Sequence, residues 1–203
     1  MSFWQLKNRN CPEKCRIDYR TPEAEQYLAH TFYTHLCNTL PNKASPVVIV
    51  PIGTDRSTGD ALGPLVGSFL KEKNIPNLYC LGCLDEPVHA ANLESKLHML
   101  KIDFPSAYII AVDACLGELN AIGTINFGAG AIRPGAGVNK TLPPVGDCHF
   151  TGIVNVGGYM EYLVLQNTRL SFVMGMAKII TGSIAQGFSC FQGNGDLLSD
   201  LSI

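Results

Sequence analysis

The stretch VVIVPIGTDRSTGDALGPL, residues 47–65, decides the fold of this chain of 203 residues. It begins with a continuous apolar run at 47–52, which is the pattern of a strand buried on both faces. A polar loop with a glycine at each end follows at 53–59, and a helix with apolar residues at helical spacing begins near Asp60. A buried strand that leads through a short loop into a helix predicts a parallel α/β sheet.

Further along the chain, apolar strands and amphipathic helices alternate in the same way. Strands are predicted at about 78–84, 107–113 and 123–127, and further helices at about 21–40, 88–100, 154–166 and 170–184. We therefore expect a three-layer, doubly wound α/β fold with a mainly parallel sheet.

The domain organisation predicted from the sequence is simple. One α/β domain is expected at 21–192, between a solvated N-terminal arm at 1–20 and a polar tail at 193–203. Within the domain, residues 128–158 are rich in glycine and proline. They are predicted to form one long loop, and long loops inside compact domains are usually functional.

Composition and charge exclude several classes of protein. Hydrophobic residues make up 46% of the chain and charged residues 16%, a globular balance that argues against disorder. The formal net charge of −2 offers no broad basic surface for a nucleic acid or a membrane partner. No run approaches the roughly 20 apolar residues of a membrane span, and residues 1–15 contain no apolar segment of a secretory signal. We expect a cytoplasmic protein whose eight cysteines are mostly reduced.

Two aspartates are the strongest candidates for chemistry. In open α/β sheets, ligands bind beyond the carboxyl ends of the strands, and Asp60 and Asp113 follow two different predicted strands at that edge. Each has a structural alternative, since Asp60 could complement a helix dipole, worth ~0.3–1 kcal/mol, and Asp113 could cap the following turn. Two acids that converge on one cleft can instead share a proton and activate a water molecule.

Histidines raise the alternative of a metal site. His89 and His149 fall on loops at the same predicted edge, although each could be an ordinary surface or core histidine. Together with Asp60 and Asp113 they could form a carboxylate and imidazole site for a divalent metal. No cofactor is predicted otherwise. Cys80 and Cys83 have zinc-like spacing, but positions three apart in a strand point to opposite faces, which argues against zinc there.

Several of these blocks resemble a known family. The residues PIGTDRSTGDALGP at 51–64, AVDA at 111–114 and IRPGAGV at 132–138 resemble the YyaC family of spore proteases from endospore-forming bacteria. The resemblance extends over about residues 45–185, and includes DEPVH at 85–89 and GGYMEY at 157–162. More distantly, the chain is similar to the germination protease of spores and to the hydrogenase-maturation endopeptidases. The fold that this implies is that of the maturation proteases, also described as phosphorylase/hydrolase-like.

The resemblance also implies roles for particular residues. By similarity to the germination protease, Asp60 and Asp113 take the places of its two essential aspartates. The maturation endopeptidases have nickel-contacting acids at these two places and a further histidine, for which His149 is the candidate. Residues expected to bind substrate are Asp55, Arg56, Glu86, His89, Gly135, Gly137 and His149.

The function implied is that of a peptidase in sporulation or spore germination, in the cytoplasm of the forespore or the spore core. Its substrate would be a peptide or a small spore protein, and homo-oligomer formation is left open. Two alternatives remain at this point. One is a non-catalytic protein that binds a peptide or another spore component, and the other is a metal-dependent maturation-type endopeptidase using Asp60, Asp113 and His149.

Overall fold

The computed structural model describes residues 14–40, 42–135 and 142–193. Within these residues six strands form one sheet, in the order β1-β5-β6-β4-β2-β3. The strands are β1 Lys14–Asp18, β2 Val47–Pro51, β3 Leu78–Cys80, β4 Tyr108–Gly117, β5 Thr124–Ala129 and β6 Cys148–Val156. Strands β3, β2, β4 and β6 run parallel, whereas β5 and β1 continue the sheet in antiparallel pairing. The predicted α/β fold with a mainly parallel sheet is confirmed.

Helices cover both faces of the sheet. They are α1 Ala24–Thr39, α2 Leu62–Lys73, α3 Leu93–Asp103, α4 Glu161–Gln166 and α5 Leu170–Gln192. Side chains of α1, α2 and α5 form the larger core with one face of the sheet, and side chains of α3 pack on the other. Although α5 is 23 residues long, no helix in the described part of the chain is long and apolar enough to cross a membrane.

The central strand β2 explains this layering. Successive side chains in a strand point to opposite faces, so Val47 and Ile49 enter the larger core while Val48 and Val50 enter the smaller one. All five residues of β2 are buried. The continuous apolar run of β2 is therefore explained by burial on both faces of the sheet, as predicted.

Two strands were not predicted. Residues 14–18, expected in a solvated arm, form β1, whose Cys15 is only 7% exposed. Its neighbours Lys14 and Arg16 are charged, as is common on an edge strand that must avoid further pairing. Residues 148–156, expected at the end of the long loop and the start of a helix, form β6 between β4 and β5. The predicted helix at 154–166 is correspondingly reduced to the six residues of α4.

Candidate active site

A cavity of about 600 Å³ opens at the carboxyl edge of the parallel strands. Its wall is built from the loop after β2, the segment after β3, the end of β4, residues 134–135 and helix α4. Of the predicted site residues, the cavity brings together Asp55, Arg56, Asp60, His89, Asp113 and Gly135. This is the position that the strand-end rule for open α/β sheets predicts.

Asp60 is held by a close approach between β2 and α2. It lies in the short 3-10 turn Gly59–Ala61 immediately before α2, and its backbone carbonyl accepts a hydrogen bond from the N–H of Thr54 at 3.2 Å. Gly53, with φ +143°, makes this possible, since a Cβ there would collide with the Asp60 carbonyl oxygen. The loop after β2 is therefore folded tightly back on the start of α2, and this fold fixes the backbone that carries the carboxyl group.

The environment of Asp60 favours proton uptake, but only in part. Burial raises the pKa of its carboxyl group, while the backbone N–H of Thr54 and the attraction of His89 lower it, and the net pKa is raised. Both of these partners stabilise the ionised form. Asp60 is thus a carboxyl group with an elevated pKa, and two interactions still favour its anion.

Asp113 is the deeper member of the pair. It lies within β4, where it pairs with Thr151 of β6. The preceding residue, Val112, accepts a hydrogen bond at its carbonyl from the N–H of Ile52 at 2.7 Å. Burial raises the pKa of Asp113 well above its ordinary value, and the negative charge of Asp60 raises it further, against a smaller lowering by the backbone N–H of Ala114. Asp113 is partly exposed, and it lines the cavity.

The two carboxyl groups therefore form an unequal pair. Because Asp60 repels a second negative charge on Asp113, ionisation of Asp60 makes Asp113 harder to ionise. Burial raises the pKa of Asp113 well above its ordinary value, whereas interactions with Thr54 and His89 partly offset the effect of burial on Asp60. Such a pair can supply a base and an acid to the same substrate.

Ser57 is a site residue that sequence reasoning did not single out. It lines the cavity and is 6% exposed, and its hydroxyl oxygen has no hydrogen-bond partner among the described residues. A buried hydroxyl without a partner costs about 1–3 kcal/mol. The sequence places it in the loop at 53–59, and this position was the only available signal.

Helix α4 supplies another unpredicted part of the wall. Glu161, Tyr162 and Leu165 line the cavity, and a Cβ on Gly59 would lie 2.8 Å from Leu165 Cδ2. The absent side chain of Gly59 thus lets α4 approach the turn that carries Asp60. A helix was predicted in this region. Because α4 has only six residues and none of them is buried, it has no apolar face from which its contact with the site could have been predicted.

Two predicted residues lie elsewhere. His149 is on β6, level with Ala111, and its Nδ1 is 2.8 Å from the carbonyl oxygen of Gly130. Its ring packs against Gly128, where a Cβ would lie 2.8 Å from Nε2, so it does not line the cavity. Glu86 also lies outside the cavity wall, and Gly137 lies outside the described residues.

The structure does not bring His149 to the two carboxyl groups of the predicted metal alternative. Residues 148–156 were expected to be mostly loop but form β6, which places the ring of His149 against Gly128 and Gly130 at the end of β5. Among the described residues, no group of three or more His, Cys, Asp or Glu side chains is placed to hold a metal ion. Of the three residues in the predicted metal set, Asp60 and Asp113 line the cavity.

Comparison with known proteins agrees with the resemblance noted in the sequence. The family model described as "Protein of unknown function (DUF1256)" matches residues 16–183. The "Uncharacterized protein YyaC" of Bacillus subtilis (strain 168) is 47% identical over 173 residues, which cover 81% of this chain and 82% of that protein. A crystal structure of a NiFe hydrogenase maturation protease, HycI from Thermococcus kodakarensis KOD1, matches with a TM-score of 0.48 and 22% identity, covering 70% of this chain and 90% of that one. The predicted resemblance to the YyaC family is confirmed.

Proposed function

We propose that this chain, which belongs to the family described as "Protein of unknown function (DUF1256)", is a peptide hydrolase that activates water with Asp60 and Asp113. The observation that supports the proposal is the placement of both carboxyl groups in one cavity, with the pKa of Asp113 raised by burial and by the charge of Asp60. A pair of carboxyl groups that share one proton is the working arrangement of aspartic peptidases.

The asymmetry of the pair assigns the two roles. Asp60, whose anion is stabilised by Thr54 and His89, acts as the general base and takes a proton from the attacking water. Asp113, which holds the shared proton, donates a hydrogen bond to the carbonyl oxygen of the scissile peptide bond as negative charge develops there. Asp60 then passes its proton to the departing amine, so the pair returns to its starting state.

A peptide is the substrate that best fits the cavity. Its volume of about 600 Å³ falls within the range of ligand sites, and exposed Asp55 and Arg56 at its wall can pair with charged or polar groups of a peptide. We further propose that the substrate is a peptide or small protein of the spore, cleaved during sporulation or germination. This part rests on the resemblance to the spore proteases.

The test is a cleavage assay on purified protein. Peptide mixtures and small acid-soluble spore proteins would be incubated with wild type, Asp60→Asn and Asp113→Asn, and products identified by mass spectrometry. Both variants should lose at least about 100-fold in rate, the lower range for loss of a general acid or base. Asp103→Asn, which changes an exposed aspartate at the end of α3, is the matched control and should cleave like wild type. Cleavage by Asp113→Asn at the wild-type rate would contradict the proposal.

The same assay examines the metal alternative. Because His149 lies outside the cavity, we expect that prior treatment with a chelator leaves the cleavage rate unchanged, and that His149→Ala retains activity. Loss of cleavage with the chelator, restored by a divalent metal, would favour a metal-dependent endopeptidase instead.

A second candidate is a protein that binds peptides without cleaving them. It is favoured by Tyr162, which lines the cavity and is 60% exposed. Exposed aromatic residues at the rim of a site can hold an apolar peptide segment. Peptide binding measured by calorimetry, with wild type cleaving none of the bound peptides, would favour this candidate.

A further inference from the structure

Cys83 lies in an unusual cluster of hydrogen-bond donors beside the cavity. The ammonium group of Lys71 on α2 donates to its sulfur at 3.2 Å, and the backbone amides of Asp85 and Glu86 also lower the pKa of the thiol. Burial alone would raise the pKa of Cys83, but these donors together lower it below the ordinary value. Three donors around one sulfur stabilise a thiolate.

Four other cysteines, namely Cys37, Cys80, Cys115 and Cys148, have different surroundings. Burial raises the pKa of Cys80 to about 12 and that of Cys115 to about 11, and it also raises the pKa of Cys148. Cys37 is exposed, whereas Cys83 is only 4% exposed. Cys37 is therefore the more exposed of the two, whereas Cys83 is the one whose thiolate is stabilised. Comparing their reactivity distinguishes an effect of exposure from an effect of thiolate stabilisation.

Close packing holds Lys71 and Cys83 together. A Cβ on Gly67 of α2 would collide with the carbonyl oxygen of Gly82, so the segment after β3 lies directly against the helix. Cys80 is the nearest other thiol along the chain and hydrogen-bonds to the Gly82 carbonyl at 3.4 Å. The charged group that faces Lys71 from this segment is Glu86, which also stabilises its ammonium form. Lys71 itself is exposed, and its ammonium group donates to the sulfur of Cys83 at 3.2 Å.

We propose that Cys83 is a site of oxidation by hydrogen peroxide, in which Lys71 and two backbone amides hold the reacting sulfur. The thiolate attacks one peroxide oxygen, so that an S–O bond forms and the O–O bond breaks. Sulfur loses two electrons to become a sulfenic acid, and the departing hydroxide is protonated by solvent to water. Lys71 stabilises the negative charge both before the step and on the leaving oxygen.

This modification is independent of peptide hydrolysis, but it lies next to that site. Cys83 is followed directly by Leu84 and Asp85, which line the cavity. A sulfenic acid adds an oxygen atom within the turn that Cys83 closes by donating its backbone N–H to Glu86 at 3.2 Å. Oxidation at this position therefore alters the segment that carries one wall of the cavity.

The test compares cysteines within the same molecule. Protein would be exposed to limited hydrogen peroxide with dimedone, which traps sulfenic acids, and the adduct on each cysteine quantified by peptide mass spectrometry. Cys83 should be labelled before Cys37 despite its lower exposure. Lys71→Gln should reduce labelling of Cys83 several-fold and leave Cys37 unchanged, while Lys73→Gln, the matched exposed lysine of α2, should behave as wild type.

A pH series separates a charge effect from a packing effect. Alkylation of Cys83 by iodoacetamide should persist to lower pH than alkylation of a simple thiol such as N-acetylcysteine, and Lys71→Gln should move the Cys83 profile to higher pH. A thermal melt of Lys71→Gln close to that of wild type shows that the variant is folded. Labelling that begins at Cys37, or Cys83 labelling that is the same in wild type and folded Lys71→Gln, would overturn the proposal.

Discussion

Replacing Asp113 with Asn should stabilise this protein at neutral and alkaline pH. The raised pKa of Asp113 means that the folded state binds its proton more tightly than the unfolded state does. The stability that this proton contributes is fully present below the ordinary pKa of an aspartate, and it is lost as pH rises through the folded-state pKa. Asn keeps the shape and the acceptor for the Ala114 N–H, but it carries no charge to bury beside Asp60.

The magnitude follows from proton linkage. Each tenfold increase in the proton affinity of the folded state corresponds to about 1.4 kcal/mol of stability lost on ionisation. For a chain of this size, 1 kcal/mol changes Tm by roughly 2–4 °C. We therefore expect Asp113→Asn to raise Tm by at least about 3 °C at pH 8, with the difference from wild type shrinking as pH falls towards 4.

Thermal melts across pH 4–9 measure this directly, with Asp103→Asn as the exposed control whose curve should follow wild type. Asp60→Asn should also be stabilising, but by less, because it forfeits ~0.3–1 kcal/mol at the start of α2. The two gains should not add in the double variant, since either substitution removes the same repulsion. An Asp113→Asn protein that melts below wild type at pH 8 would show that the carboxylate has a structural role, and it would refute this account of the pair.

Two further predictions concern activity and the loop after β2. The rate of peptide cleavage should have a bell-shaped pH dependence, because Asp60 must be ionised and Asp113 protonated. Both limbs should lie at higher pH than those of ordinary carboxylates, since both pKa values are raised. A rate independent of pH between 4 and 9 would contradict this. Gly53→Ala should lower the free energy of unfolding, measured with urea, by more than about 1 kcal/mol, since it places a side chain at φ +143° against the Asp60 carbonyl oxygen. The control Gly130→Ala, also at positive φ but with open space around it, should cost less.

The strand β2 and the middle of β4 could be predicted from sequence because their residues are buried. Strand β2 and the first half of β4 are apolar runs because both faces are covered, so their sequences reveal them without knowledge of their neighbours. Strand β1 depends instead on pairing with β5, and its charged residues resemble a solvated arm. Strand β6 includes His149, Thr151 and Asn155 between buried residues, and it follows a glycine- and proline-rich segment that favoured a loop.

The candidate site divides in the same way. Asp60 and Asp113 were predicted because a rule about strand ends needs only the position of each strand in the sequence. His149 was misplaced because its position depends on the register of β6, which pairs it with Ala111 and Gly128. The contact between Lys71 and Cys83 joins a helix and a segment after another strand, and no local pattern encodes it.

The cost of the acid pair is itself an argument for function. Asp113 stands in β4 directly after buried Ala111 and Val112, where an apolar residue would avoid both desolvation and the repulsion from Asp60. The close approach at Gly53 likewise allows the loop after β2 to fold back on the backbone of Asp60, in a conformation that few residues other than glycine adopt. A fold that only needed stability would do better without either feature. Their convergence on one cavity is expected when stability is given up for chemistry, and the paired melts and cleavage assays of the Asn variants measure both sides of that exchange.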